Sequence, residues 1–423
     1  MIIGLLAVLL PAWGQNLQEA SPLPYRSYMK GVLTGNKAYA AQQLNVSLAE
    51  AEIASAKVFN NPELSVAYAY NDDRRLKMGQ SATLGLSKEF KPGRRGAALR
   101  LASSRKAVEE ALLEDHFQQL RAESTLAYLK ALEASALWRL RESMYRQISR
   151  LATADSLRCL KGELSAVEAA RSKIVAEQAR NALRQAESEL FNACAALNLW
   201  MGVDEKAGHF LPQGSLETAT RNFDEAALLD AAVERRADLC AALKDVDVAR
   251  KAQDLARKER NMPFSLSLEY NYNTRVRNEI APAPAYNGLT LGVSVPLPFS
   301  NRNKGALQAA ALRLRQAEYN YEQACLEVRS SVVQSLRSYR SLEAQTQSYD
   351  QGLLRNAQTL LDGNLRRYEK GEVSLLDVMD AKRAYDEVYT SYVQTSYQRL
   401  AALVLLERNA GFWDIDLPES PKK

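Results

Sequence analysis

The sequence predicts an internally duplicated chain in which short alternating strands, of the kind that close into a membrane β-barrel, are joined to helices long enough for a helical barrel. Three observations lead there. The turn sequence Gly162-Glu163-Leu164-Ser165 returns 209 residues later as Gly371-Glu372-Val373-Ser374, and self-similarity at a fixed offset marks a repeated architecture. Each half carries two segments that alternate apolar and polar residues. Each pair of segments is followed by a helical pattern of more than 60 residues.

Residues 15 to 35 are polar and contain prolines, and read as an approach segment over a surface. The alanine-rich stretch from Asn36 to Asn60 has strong helical propensity, and Asn60-Asn61-Pro62 ends it. Alternation over 64–70 and 81–90 predicts a hairpin. Lys91-Pro92-Gly93 turns the chain into a helix from Ala97 to about Arg158. Those 62 residues carry no proline or glycine and span roughly 93 Å. Ser165 with Glu168, like Ser374 with Asp377, has the form of an N-cap and its box residue, so a returning helix starts at each. The first runs to Trp200 and stops at Gly202.

After a connector over 203–222 the order repeats. Phe223 to Arg260 is helical, Asn261-Met262-Pro263 ends it, and 264–272 and 289–298 alternate. A helix from Ala306 to Glu369 has 64 residues, roughly 96 Å. Gly371 turns it, and Ser374 to Asn409 returns. The expected divisions are a secretory signal over 1–14, a first repeat over 15–202, an equatorial connector over 203–222, a second repeat over 223–411 and a polar tail over 412–423. The signal reading rests on the uncharged run Ile2 to Pro11 and the small-x-small site Ala12-Trp13-Gly14, although a charged n-region is missing.

The bulk numbers narrow the classes. Glycine and proline are sparse, at 19 and 13 of 423 residues, which leaves most of the chain free to be long helix. No later run approaches the apolar length of a transmembrane helix, so a membrane would be entered as strands. The net charge of +5 is spread over mixed helix faces, which argues against a nucleic-acid partner. Cys159, Cys194, Cys240 and Cys325 match no zinc spacing, and read as ordinary helix-face cysteines. His116 and His209 fit no triad or ligand set, and no phosphate-binding glycine loop occurs, so neither an enzyme nor a cofactor is expected.

Four strands cannot close a barrel, and open edges do not survive in hydrocarbon. If the hairpins span a membrane, the chain oligomerises. A dimer supplies eight strands and a trimer twelve, and the residues alone do not choose. The bland alternative is a set of unrelated coiled coils around two soluble hairpins, which leaves the duplication without a reason.

The duplicated layout, Asn61-Pro62-Glu63-Leu64 before the first hairpin, and the turn motif Gly371-x-x-Ser374-x-x-Asp377-Val378-x-Asp380 resemble the TolC-type outer-membrane efflux family over essentially the whole mature chain. The resemblance implies a homotrimer with a 12-stranded outer-membrane barrel and a long periplasmic helical tunnel. It implies an exit duct of a tripartite pump, docked to a periplasmic adaptor (membrane fusion) protein and through it to an inner-membrane transporter of RND or ABC type. The chain also resembles the branch that accompanies heavy-metal efflux systems.

On that resemblance the two turns form the periplasmic mouth. The pore-gate positions fall on Asp377 and Asp380, and on Glu168 and Arg171 in the first copy. Six carboxylates in a trimer would raise one another's pKa values by like-charge repulsion; Arg171 departs from the pattern and is placed to pair with a carboxylate of an adjacent helix. Leu160, Gly162, Leu164, Gly371, Glu372 and Val373 are the expected adaptor contacts. Tyr68, Tyr70, Phe90, Tyr270 and Tyr272 are the expected aromatic girdle. A type I protein-secretion duct and a non-channel periplasmic scaffold are the competing functions.

Overall fold

The computed structural model describes residues 21–70, 77–204, 210–217, 220–297, 299 and 303–415. The signal-peptide reading, His209 and most of the tail lie outside them. Helices and strands follow in the order β1 (Ser21–Pro24), α1 (Tyr25–Gly35), α2 (Lys37–Lys57), β2 (Glu63–Ala69), β3 (Ser81–Phe90), α3 (Arg94–Leu160) and α4 (Ala166–Met201). The second half continues with β4 (Phe210–Gln213), α5 (Glu225–Arg235), α6 (Ala237–Lys258), β5 (Phe264–Asn273), β6 (Tyr286–Ser294), α7 (Lys304–Ser348), α8 (Leu354–Glu369) and α9 (Leu375–Asn409). Two compact units result, Gln43–Leu113 with Asp238–Cys325, and Met1–Gln42 with Glu114–Ala237 and Leu326–Lys423. Each takes segments from both sequence repeats.

The first of these units carries a four-stranded antiparallel sheet in the order β2-β3-β5-β6. Both predicted hairpins are present, and β3 pairs with β5 to join them. Register places Leu64, Leu86, Leu268 and Leu291 in one row and Val66, Leu84, Tyr270 and Leu289 in the next. Because side chains alternate along a strand, these rows share one face. The other face carries Ser65, Gly85, Glu269 and Thr290, then Ala67, Thr83, Asn271 and Gly288. There Thr83 Oγ1 donates to Asn271 Oδ1 at 2.6 Å, and Asn271 Nδ2 donates to Thr290 Oγ1 at 3.3 Å. The apolar face is open: Val66 is 76% exposed and Leu291 80%. One face is thus hydrocarbon-like and the other hydrogen-bonded and small.

The second unit is built around Tyr128, which is fully buried on α3. Its hydroxyl, a single donor, lies within hydrogen-bond distance of two carbonyl oxygens, those of Leu23 and Gln213, each at 2.7 Å. These carbonyls belong to β1 and β4, which pair in parallel. Tyr25 and Tyr28 pack their rings against it at 5.4 and 5.2 Å. The approach segment expected over 15–35 is therefore corrected. Part of it is a strand and an amphipathic helix whose Tyr25, Tyr28 and Val32 are buried, a spacing of one helical face. The connector likewise holds β4.

Two further expectations change. The helix expected from Ala306 to Glu369 is interrupted by a π-type turn, Tyr349–Leu353, where Gly352 takes φ 121°, a conformation that favours glycine. The stretch Phe223 to Arg260 is two helices, parted at Arg236, whose backbone is extended. The last strand starts at Tyr286 rather than Leu289, and ends at Ser294, before the prolines, which cannot donate to a ladder.

A buried polar network ties α7 to α9. Arg399 lies 3.2 Å from Glu343, both nearly excluded from water, and Thr220 donates to the same carboxylate at 2.7 Å. Arg399→Met alone is expected to cost about 3–5 kcal/mol, because it strands a buried carboxylate. Arg399→Met with Glu343→Leu should recover most of that loss in denaturant unfolding; a double variant no more stable than the single would contradict a pairing role.

Candidate functional site

The two sequence turns have the same local structure. At the first, the Gly162 N–H donates to Cys159 O at 3.0 Å and the Glu163 N–H to Arg158 O at 2.9 Å. At the second, Gly371 donates to Tyr368 O and Glu372 to Arg367 O, both at 2.9 Å. This pair of bonds is the Schellman motif, which closes a helix through a left-handed residue. Gly162 at φ 78° and Gly371 at φ 75° supply it. Nothing lies within 4 Å of a Cβ at Gly162, so backbone conformation and not crowding requires glycine there.

Each returning helix then begins with a capping box. Glu168 N–H donates to Ser165 Oγ at 3.2 Å while Ser165 N–H donates back to Glu168 Oε2 at 3.3 Å. In the second copy the distances are 3.3 Å for Asp377 N–H to Ser374 Oγ and 2.9 Å for the return bond. The Ser374 side chain and backbone hold the Asp377 carboxyl below its usual range. That direction is opposite to the rise expected of a carboxylate crowd. The cap is formed above the ordinary carboxylate range and is lost as pH falls through the depressed value.

Of the expected gate residues, Glu168 and Asp377 are therefore caps of their own helices. Asp380 and Arg171 are exposed, and among the described residues neither makes an ion pair. Of the expected adaptor contacts, Leu160 is 85% exposed, and Gly162, Gly371 and Glu372 are exposed, with Leu164 half-buried. Arg367 lies 3.5 Å from Glu372 across the second turn. Val373 instead packs on the core beneath the turn, formed by Leu151, Tyr368, Leu375 and Val378.

That core holds residues the sequence reading passed over. Asp155 is buried on α3 and accepts hydrogen bonds from Ser172 of α4 and, at 3.0 Å, from the Tyr368 hydroxyl of α8. Three helices from both repeats thus meet on one carboxylate just behind the two turns. Burial, then the hydrogen bond to Asp155, pushes the Tyr368 hydroxyl up to about 12, so it remains a donor throughout the neutral range. The signal was present in the sequence. Leu140, Met144, Ile148, Leu151 and Asp155 form a buried stripe at helical spacing, and a carboxylate in such a stripe needs partners.

Higher on the same helices, Asp386 of α9 lies 3.1 Å from Arg141 of α3 and 2.7 Å from Lys382. Leu140, Met144, Leu361, Ala381 and Tyr385 pack beside it. The helices are joined by apolar contacts with an acid at each level, buried at Asp155 and half-buried at Asp386.

Residues 228–411 match the model of the outer membrane efflux protein family. The cobalt-zinc-cadmium resistance protein CzcC of Cupriavidus metallidurans is 22% identical over 395 residues, covering 93% of this chain and 91% of the relative. The family match lies in the second half of the chain, whereas the likeness to CzcC runs through nearly all of it. The pyoverdine export outer membrane protein OpmQ of Pseudomonas aeruginosa is 26% identical over 350 residues, covering 79% and 71% of the two chains. The outer membrane channel CmeC of Campylobacter jejuni superposes with a TM-score of 0.73 at 15% identity, covering 91% of this chain and 85% of that one. The fold is that of the TolC-type channels.

These matches are to outer-membrane efflux proteins and not to enzymes. Among the described residues no helix is long and apolar enough to cross a membrane, and the sheet exposes an apolar face. Its aromatic residues sit at both ends. Tyr68 and Tyr272 share a register row with Ala82 at one end, with Tyr270 one row further in. At the other end Phe90 and Phe264 stack at 5.2 Å.

Proposed function

We propose that three copies of this chain form the exit duct of a tripartite efflux pump, which passively conducts substrate received through a periplasmic adaptor from an inner-membrane transporter. The observation that carries this reading is the four-stranded sheet, which exposes a continuous apolar face and ends in two edge strands, β2 and β6, each unpaired on its outer side within the chain. In hydrocarbon each unpaired backbone group costs several kcal/mol, so neighbouring copies must complete the sheet. A trimer supplies twelve strands. The test is the mass of the detergent-solubilised protein: three copies are expected, and a monomer soluble without detergent would overturn the reading.

The long helices would line the tunnel and the Schellman turns its mouth, with Leu160, Gly162, Leu164, Gly371, Glu372 and Val373 toward the adaptor. Asp155 and Tyr368 would hold the two turns of one protomer together and so keep the mouth narrow. The likeness to CzcC favours a heavy-metal efflux system as the pump it serves.

In this arrangement Asp377 and Asp380, three residues apart on one helix face, ring the pore, with Glu168 and Arg171 beside them. Asp380→Asn is the cleaner probe, because Asp377 also caps its helix. Asp380→Asn is expected to lower cation preference, read as a reversal potential moved toward zero in a salt gradient. An unchanged reversal potential would reject the ring.

A further inference from the structure

We propose that the cleft at the Phe90 end of the sheet binds the phosphodiester headgroup of an anionic glycerophospholipid, an inference that rests on the sheet lying in the outer membrane. A cavity of about 490 Å³ opens there between the end of α2, the end of β3 and the start of α3. Four cations and one carboxylate line it. Two of the cations are already matched: Lys91 lies 2.8 Å from Glu89, and Arg94 3.3 Å from Glu259.

Lys88 and Arg95 are not matched. Among the described residues neither has a carboxylate within ion-pair distance, and both are held against the same aromatic ring. The Lys88 ammonium lies 5.6 Å from the Phe59 centroid and the Arg95 guanidinium 3.9 Å. Arg95 is fixed further, since its Nε donates to Lys57 O at 2.7 Å. Those contacts position two positive charges without neutralising them.

Position along the strand explains what such charges are for. Lys88 pairs with Leu266, and alternation sets it on the face that carries Leu84 and Leu86. A lysine on a lipid face is costly at the centre and tolerated at the edge, where its stem lies along apolar surface and its head reaches the interface. Around it Val58 and Phe59 are 66% and 62% exposed. A soluble cleft gains nothing from apolar residues so open to water. A lipid satisfies both halves of the site, its phosphate between Lys88 and Arg95 and its acyl chains along Leu86 and Leu266. Charge-assisted bonds to phosphate are among the stronger ones available.

The test titrates phosphatidylglycerol into the full-length, detergent-exchanged protein and counts bound lipid by native mass spectrometry. K88Q/R95Q is expected to bind phosphatidylglycerol about tenfold or more weakly, from the loss of two charge-assisted bonds. K88Q alone should fall between, and K30Q, which changes an exposed lysine of the other unit, should match the unaltered protein. Millimolar inorganic phosphate should not displace the lipid. Equal affinity in K88Q/R95Q would overturn the site, and displacement by inorganic phosphate would make it a free-anion site instead. Conductance of the same preparations separates the two readings. A conducting protein whose lipid affinity ignores both substitutions loses only the lipid site, whereas one that needs no detergent and never conducts loses the channel as well.

Discussion

Tyr368→Phe is expected to raise the resting conductance of the reconstituted protein by one to two orders of magnitude. The hydroxyl donates to a buried carboxylate at 3.0 Å, and a hydrogen bond to a charged group contributes about 1.5–3 kcal/mol. Each 1.4 kcal/mol is tenfold in an equilibrium constant, so removal shifts a closed-to-open equilibrium by roughly 10–100-fold. The effect would fall on the proposed mouth because Asp155 joins α3, α4 and α8 immediately behind both turns. Without the bond, α8 and α9 are free to part from α3 and α4. Global stability should change less, since Leu151, Leu375 and Val378 still pack beneath the turns. Single-channel recording distinguishes the outcomes: a conductance equal to that of the unaltered protein would show that Asp155 is a packing feature and not a latch.

Leu268→Lys should abolish most membrane assembly, with a cost of about 2–4 kcal/mol per copy for a lysine facing hydrocarbon near the midplane of a barrel. Leu268 lies at the centre of its row, between Leu86 and Leu291. Asn271→Lys, on the opposite face of the same strand, should be tolerated. The contrast is diagnostic because Leu268 is 42% exposed in the single chain. In a protein that stays in water, a lysine at so open a site changes stability by no more than about 0.5 kcal/mol. Heat-stable oligomer recovered from membranes measures the difference, and equal recovery of both variants would mean that the face does not meet lipid.

Much of this was legible because the relevant signals are local. Alternation gave all four strands of the sheet, with the last shifted by its prolines, and Gly162 and Gly371 announced turns that only a left-handed residue closes. The capping boxes followed from Ser165 and Glu168, and from Ser374 and Asp377, at the spacing a first helical turn imposes. What escaped was set by distant partners. Pro22 and Pro24 suggested a loose segment, whereas Tyr128, 105 residues away from Leu23, draws that segment into a core. Gly352 sits in a sequence otherwise suited to helix, and one glycine does not reveal whether a helix continues or turns. Glu168 and Asp377 were read both as caps and as pore residues, and in a single chain the cap contacts are the ones formed. Asp155 was hidden in plain view, a carboxylate in an apolar stripe whose partners lie on two other helices.

The most direct test of a conducting duct is single-channel recording of the purified, detergent-extracted oligomer in a planar bilayer, with Tyr368→Phe in parallel. Discrete, cation-preferring openings that become more frequent or larger in Tyr368→Phe are expected. A well-folded protein that remains soluble without detergent, and is silent both unaltered and as Tyr368→Phe, would contradict it.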